Sequence, residues 1–318
     1  MRVIYMGTPA PVISALEALC RMPEVEVVAA VTPPDRERGR GRRSEPPPIK
    51  EAALRLGIPV LQPDSLRSQS AQNGLAELEP DVIVVAAYGK LLPAQVLDLP
   101  PNGCLNLHPS LLPRHRGPSP VATAILEGDE TTGVSLMLLD EGMDTGPVVA
   151  QHLYTMTGEE TAGELTGTLF DMGAELLAQN IGPWTRGELQ AQPQDNALAT
   201  VTRKLERTDG LTDWTLPAET LARRCRAYSP WPGLYTEWKG KALKLLEISL
   251  LPDSVSPELV EGRPGQVLSV IPATAAAVAT GNGLLGLSRL QLEGRRAVTA
   301  REFLAGYPDF IGAYLGNQ

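Results

Sequence analysis

Few folds are open to a chain that contains the run DVIVVAA at residues 81–87. A strand that is apolar on both faces must be covered on both faces, and that is the situation of a central strand in a parallel sheet. The sequence before it agrees. Val3 to Met6 and Val25 to Val31 are further apolar runs, with Pro59 to Leu61 as a shorter one. Between them, Val12 to Leu19, Lys50 to Leu56 and Leu75 to Leu78 read as helices. Alternating strands and helices predict an α/β domain, a doubly wound, Rossmann-like parallel sheet. The turn after the first strand, Gly7-Thr8-Pro9, lacks the glycine pattern of a dinucleotide site, so no dinucleotide is expected.

Residues 104–120 read CLNLHPSLLPRHRGPSP. The stretch begins as an alternating strand, with Leu105 and Leu107 on one side and Asn106 and His108 on the other. Pro109 ends the ladder because it has no N–H to donate. An amide and an imidazole therefore arrive together at the carboxyl end of a strand, where open α/β sheets bind their ligands. Asn donates a hydrogen bond from a neutral group, and His can move a proton near neutral pH. Together they suit the oxygen of a tetrahedral intermediate. The plainer reading has His108 capping the strand and Asn106 satisfying loop backbone.

A second stretch, LLDEGMDTGPVV at 138–149, gathers Asp140, Glu141 and Asp144 around Gly142 and Gly146. Such a loop can bring a carboxylate to an imidazole and orient it, stabilise its charge or order a water. It is equally a good hairpin connection, since Asp and Gly suit turns.

With Asn106, His108, the SLLPRHRG run at 110–117 and Asp144 in DTGP, the chain resembles the folate-dependent formyltransferases, and over nearly its whole length the two-domain members that act on aminoacylated tRNA. The resemblance implies transfer of the formyl group of 10-formyltetrahydrofolate to the α-amino group of methionine on initiator tRNA, for translation initiation, without a metal. It implies Asn106, His108 and Asp144 as catalytic residues. It also implies a folate slot formed by Ser110, Leu111, Leu112 and Pro113 with Ala87, Tyr88 and Gly89.

The segment TPPDRERGRGRRSEPPP at 32–48 carries Arg36, Arg38, Arg40, Arg42 and Arg43, and its prolines and glycines argue against a regular element. It reads either as a solvated loop or as an arm that grips phosphates and orders on RNA. The resemblance implies the second reading: a basic loop entering the acceptor end of the tRNA, with Arg42 the best single candidate, although Arg42-Arg43 stands where many relatives have Lys. The net charge of −9 is not that of a generic RNA binder. Residues 207–318 carry 12 Lys and Arg against 11 Asp and Glu, and the remainder 16 against 26, so RNA contact must rest on local patches.

Val121 to Leu126 is expected as a helix, Thr132 to Leu139 and Val148 to Tyr154 as strands, and Thr161 to Asn180 as a long helix. The division expected is a catalytic domain at 1–182, a linker at 183–207 and a C-terminal domain at 208–318. In the last, Leu211 to Arg226 reads as a helix capped by Thr212 or Asp213, and core packing is the default for Trp231 and Trp238. Short apolar segments then follow at strand-like spacing, predicting a small OB-type β-barrel. The resemblance gives this domain to tRNA binding through basic residues, with Lys239, Lys241 and Lys244 as candidates.

Three scattered cysteines, Cys20, Cys104 and Cys225, fit neither a disulfide framework nor a zinc site. With no signal-peptide core at the start and no long apolar run, a cytoplasmic monomer with no membrane span is expected. Three rival readings remain: a formyltransferase with an amino-sugar nucleotide, a purine intermediate or another small amine as acceptor, a formyl-folate hydrolase, and an RNA-binding protein on a retired catalytic scaffold.

Overall fold

The computed structural model describes residues 1–38, 43–252, 262–270 and 274–316. The chain forms two compact units. One comprises Met1–Pro120, Glu130–Met156 and Glu164–Arg203, and the other Val121–Asp129, Thr157–Gly163 and Lys204–Gln318. No helix among the described residues is long and apolar enough to cross a membrane.

The first unit contains β1 (Arg2–Gly7), β2 (Glu26–Val31), β3 (Arg36–Arg38), β4 (Arg43–Glu45), β5 (Val60–Leu61), β6 (Val82–Ala86), β7 (Cys104–His108), β8 (Thr131–Leu138) and β9 (Val148–Thr155). Its main sheet has the order β5-β2-β1-β6-β7-β8-β9. The first five of these run parallel. β8 runs antiparallel to β7, and β9 antiparallel to β8. The sheet is thus mixed, where a parallel one was expected. The loop at 139–147 explains β9: it is shorter than the dozen or so residues that a parallel crossover needs.

The central run behaves as its composition requires. Every residue of β6 is buried, and successive side chains enter opposite cores. Val82, Val84 and Ala86 join Val3, Tyr5, Leu105 and Leu107 on one face. That face is covered by α1 (Ile13–Arg21), α2 (Pro48–Arg55) and the later long helix at 162–185. Ile83 and Val85 join Ile4, Met6 and Cys104 on the other face, under α3 (Gln69–Ala76) and α4 (Ala94–Leu97). Each fully buried Val or Ile contributes about 1.5–3 kcal/mol, so β6 anchors both layers.

After α5 (Pro120–Glu127), α6 (Ala162–Thr185) continues past the expected end at Asn180, running through Pro183. Trp184 extends its hold, donating from Nε1 to the Asn102 carbonyl at 2.9 Å. Gly173 lets α6 approach the sheet, since a Cβ there would lie 3.1 Å from Val134 Cγ2. The arginine-rich segment also departs from expectation: β3 and β4 form an antiparallel ladder pairing Arg36 with Glu45 and Arg38 with Arg43. Its base is tied by Lys50, whose Nζ donates to both Asp35 carboxylate oxygens at 2.8 Å.

The second unit contains α7 (Ala218–Ala227), β10 (Leu234–Trp238), β11 (Lys241–Leu250), β12 (Val267–Val270), β13 (Thr274–Ala279), β14 (Leu284–Leu292), β15 (Val298–Thr299) and α8 (Ala300–Gly306). The sheet order is β10-β11-β14-β13-β12, with β15 on β14 and every pairing antiparallel. Among the described residues no ladder closes it from β10 to β12, so the C-terminal unit is an all-antiparallel sheet rather than a demonstrated barrel. α7 begins at Ala218, not near Leu211. Pro217 disfavours helical geometry at the residue before it, and Thr212 instead donates from its backbone N–H and its hydroxyl to the Tyr235 carbonyl. Trp238 is core, with its ring 5.1–5.6 Å from those of Phe303, Tyr307 and Phe310. Trp231 departs from the core expectation and is 54% exposed.

Candidate active site

β7 delivers the two polar side chains as its alternation requires. Leu105 and Leu107 enter the core beneath α6, and Asn106 and His108 take the opposite face, both buried. Past His108 the chain folds back through the cis Leu112-Pro113 bond. His108 Nε2 lies 2.9 Å from the backbone carbonyl oxygen of His115. A carbonyl only accepts, so Nε2 carries a proton. Nδ1 faces the Asp144 carboxylate, with Oδ2 at 3.6 Å, an ion-pair distance longer than a direct hydrogen bond. Burial pushes the imidazole below its ordinary 6.5, and the Asp144 charge and the His115 carbonyl pull it back less strongly. At neutral pH the ring is therefore uncharged, with its lone pair on Nδ1.

Asp144 sits in the left-handed region at φ 55°, which Asp tolerates better than most residues. Its Oδ2 accepts the Gly117 N–H at 2.8 Å. Asp140 acts elsewhere in the loop, where its Oδ1 accepts from the Gly142 N–H and the Thr145 hydroxyl and closes the turn. Of the three acids in this loop, Asp144 is the one facing the imidazole. For the Asn106 amide, no protein hydrogen-bond partner is found among the described residues. The site thus brings together a free amide, a neutral imidazole with an open lone pair, and a carboxylate held beside it.

The loop at 109–116 rests on two residues that sequence reasoning missed. Ser135 Oγ donates to the Ser110 carbonyl at 2.6 Å and accepts from the Leu112 N–H and Gln151 Nε2 at 3.1 and 2.8 Å. Gln151 Nε2 also donates to the Leu112 carbonyl at 2.9 Å. Ser110 completes the loop, its N–H donating to the His108 carbonyl and its hydroxyl to the Arg114 carbonyl. The donors of Ser110 and Leu112 are therefore spent on shaping the loop. Pro113 accepts from the Thr200 N–H, and Leu111 is half-buried with its side chain toward Gly133. Ala87 and Gly89 are exposed and left-handed, at φ 44° and 81°. The Tyr88 ring between them is buried in the core with Leu92 and Val96, and its carbonyl accepts from the Thr8 hydroxyl. Tyr88 thus has only its backbone to offer a ligand.

Residues 190–202, expected to belong to a linker, pack on this same unit. Gln192 pairs with Val148, and Thr202 accepts and donates across Arg116 and Ser119. A polar stretch without periodicity gives no sequence signal for such contacts. Of the arginine segment, Arg36 is exposed, Arg38 and Arg43 are fixed in backbone register, and Arg40 and Arg42 lie outside the described residues. In the second unit Lys239 is committed to an ion pair with Asp309 and lies over the Trp238 ring, while Lys241 and Lys244 are exposed.

A mixed α/β sheet that presents Asn106 and His108 on one face of a strand, with the Asp144 carboxylate beside the imidazole, is suited to acyl transfer. Residues 1–181 match the family described as formyl transferase, and residues 204–308 match the formyl transferase C-terminal domain. The chain belongs to the formyl transferase family. It is 46% identical over 317 residues to the methionyl-tRNA formyltransferase of Roseiflexus sp., covering 100% of this chain and 96% of that protein. It is 43% identical to that of Myxococcus xanthus, covering 96% and 95%. The fold is shared with HypX from Aquifex aeolicus in complex with tetrahydrofolic acid, at TM-score 0.63 and 18% identity over 98% of this chain and 48% of that one. It is also shared with an N-formyltransferase from Helicobacter canadensis in complex with folinic acid and dTDP-3-aminofucose, at TM-score 0.64 and 15% identity, covering 93% and 99%.

Proposed function

We propose that this protein transfers a formyl group from 10-formyltetrahydrofolate to the α-amino group of methionine carried by initiator tRNA. The full-length relatives bear the name of that activity, and the observation in this chain that carries the reading is the convergence of Asn106, His108 and Asp144. The reaction needs three services from the protein. The carbonyl oxygen, negative once the amine has attacked, needs a donor, and the unpartnered Asn106 amide is suited to it. The attacking nitrogen must lose a proton, and the lone pair on His108 Nδ1 can take it. Asp144 then stabilises the imidazolium across 3.6 Å. The same proton is available to the folate nitrogen as the old carbon–nitrogen bond breaks, so protons balance without a metal.

For the folate, the fit rests on the loop that Ser135 and Gln151 brace. Leu111 and Pro113 would supply apolar surface, with the buried Leu112 fixing the loop beneath them, and the exposed backbone at Ala87 and Gly89 is suited to a polar ring edge. Ser110 and Tyr88 would act through loop shape and backbone. Residues 1–182 would carry the chemistry, 183–207 the connection, and 208–318 the tRNA contact. The antiparallel strands of the last region are compatible with an OB-like barrel. Arg36, Arg38, Arg40, Arg42 and Arg43 would meet the acceptor end, with Lys241 and Lys244 as further phosphate contacts. A cytoplasmic monomer is the simplest setting for that role.

The test is direct. Purified protein is incubated with the labelled formyl donor and, separately, methionine-charged initiator tRNA, uncharged tRNA or an amino-sugar nucleotide. Label on the methionine of charged tRNA alone is the expected result. Label on the sugar, or release of formate with no acceptor labelled, would replace the reading.

A further inference from the structure

Gln194 lies 50 residues beyond Asp144, yet its side chain makes three hydrogen bonds around the Asp144 turn. Its Oε1 accepts from Arg116 Nε at 2.9 Å, and its Nε2 donates to the backbone carbonyls of Asp144 at 2.9 Å and Gly146 at 2.6 Å. The sense of the amide is forced by chemistry, because a guanidinium only donates and carbonyls only accept. Arg116 is itself fixed. It is 6% exposed, its Nη2 donates to Asn196 Oδ1 at 2.9 Å, and its backbone pairs with Thr200 and Thr202.

The turn that Gln194 holds needs holding. Asp144 is left-handed, a conformation that persists in non-glycine residues when the surroundings over-determine it. Gly146 is pressed so close to Leu138 that a Cβ would lie 1.9 Å from the Leu138 carbonyl oxygen. With both carbonyls tied to one amide, the 144–145 and 146–147 peptide planes cannot rotate independently. The Asp144 carboxylate then stays where Gly117 and His108 meet it.

We propose that Gln194 is a positioning residue for the reaction, acting through the backbone at 144 and 146, with Arg116 setting the direction of its amide. The inference rests on the site reading above, and it makes residues 190–202 a working part of the site as well as part of the connection.

Three measurements on Gln194→Ala test it in the full chain, with Gln194→Met as a variant that keeps the volume but cannot hydrogen-bond. First, kcat falls roughly 10–100-fold, the scale of an ångström-sized misplacement, while KM for the charged tRNA changes less than about 3-fold. Second, Gln194→Ala added to Asp144→Asn lowers kcat no further, because both act on one carboxylate. Third, the His108 imidazole, resolved by NMR among only three histidines, titrates at lower pH as it loses support from Asp144. A general loss of packing would not move that titration in step with the Asp144→Asn variant. The proposal is overturned by kcat within about 2-fold of wild type, by losses that multiply in the double variant, or by an unmoved His108 titration. The NMR arm needs no turnover. A wild-type protein that fails to formylate would sink the site reading while this inference is still judged.

Discussion

His108 donates its Nε2 proton to the backbone carbonyl of His115 across 2.9 Å, and that bond decides which nitrogen keeps the lone pair. The neutral ring must hold its lone pair on Nδ1, the atom facing Asp144. At pH 7.5, nitrogen-15 shifts should report the Nε2-H tautomer for this residue. Finding the proton on Nδ1 would remove its role as the acceptor of the substrate's proton.

The same ring makes folding stability depend on pH. Burial holds the folded His108 pKa below its ordinary 6.5, so the unfolded chain binds more protons in that window. Stability from this group is fully present above about 6.5 and is lost as pH falls toward the depressed folded value. Urea midpoints measured from pH 7.5 down to 5 should therefore fall less steeply in His108→Gln than in wild type. Equal slopes would mean that the buried imidazole is not the group responsible.

Asp144→Asn separates charge from shape. Asn also tolerates the left-handed backbone that Asp144 adopts, and its amide oxygen can still accept the Gly117 N–H. What disappears is the negative charge beside Nδ1. We expect kcat to fall roughly 10²–10⁴-fold, up to the scale of neutralising a carboxylate that orients an imidazole and stabilises its charged form, with tRNA binding unchanged. The His108 pKa should fall further, since the Asp144 charge is what raises it against burial. Turnover near that of wild type would show the carboxylate to be dispensable.

The sequence carries these parts unequally. Asn106 and His108 are legible because period-two alternation fixes which side chains share a face, whatever covers the strand. Asp144 is legible as one acid among three, and only its 3.6 Å approach to the His108 ring singles it out. The central strand announces itself, but the direction of β9 depends on loop length rather than on any residue type. β10 is hidden by the prolines and aromatics before it, although Leu234, Thr236 and Trp238 are buried in alternation. Gln194 and Ser135 leave no local trace. A Gln in a polar stretch and a Ser in an alternating strand look like solvent-facing residues, and their partners are distant in the chain or come from its backbone.

Gly117 is a position where backbone geometry permits one residue. Its φ is 102°, and a Cβ would lie 2.8 Å from the Thr202 carbonyl oxygen and 3.0 Å from Thr202 Oγ1. Neither the carbonyl nor the hydroxyl bonded to the Arg116 carbonyl can yield freely. Gly117→Ala should cost about 1–3 kcal/mol in backbone strain and displace the N–H that holds Asp144. The expected result is a lower thermal midpoint together with a fall in kcat at temperatures where the variant is still folded. Full activity in the folded variant would mean that the Gly117 hydrogen bond does not set the carboxylate.

Ser135 tests whether the loop at 109–116 is braced from beneath. Its hydroxyl has one proton and two lone pairs, and all three are used, by the Ser110 carbonyl, the Leu112 N–H and Gln151 Nε2. Ser135→Ala removes the oxygen and leaves those groups buried without it. Each orphaned group costs about 1–3 kcal/mol, though Gln151 retains the Leu112 carbonyl. Since β8 itself keeps its backbone ladder, the loss should fall on the loop at 109–116. Amide exchange at Leu112 should accelerate well beyond that at Leu136, and KM for the formyl donor should rise more than kcat falls. Uniform acceleration along β8 and the loop would point instead to a weakened sheet, and the loop would then owe its shape to the Thr200 contacts with Pro113 and His115.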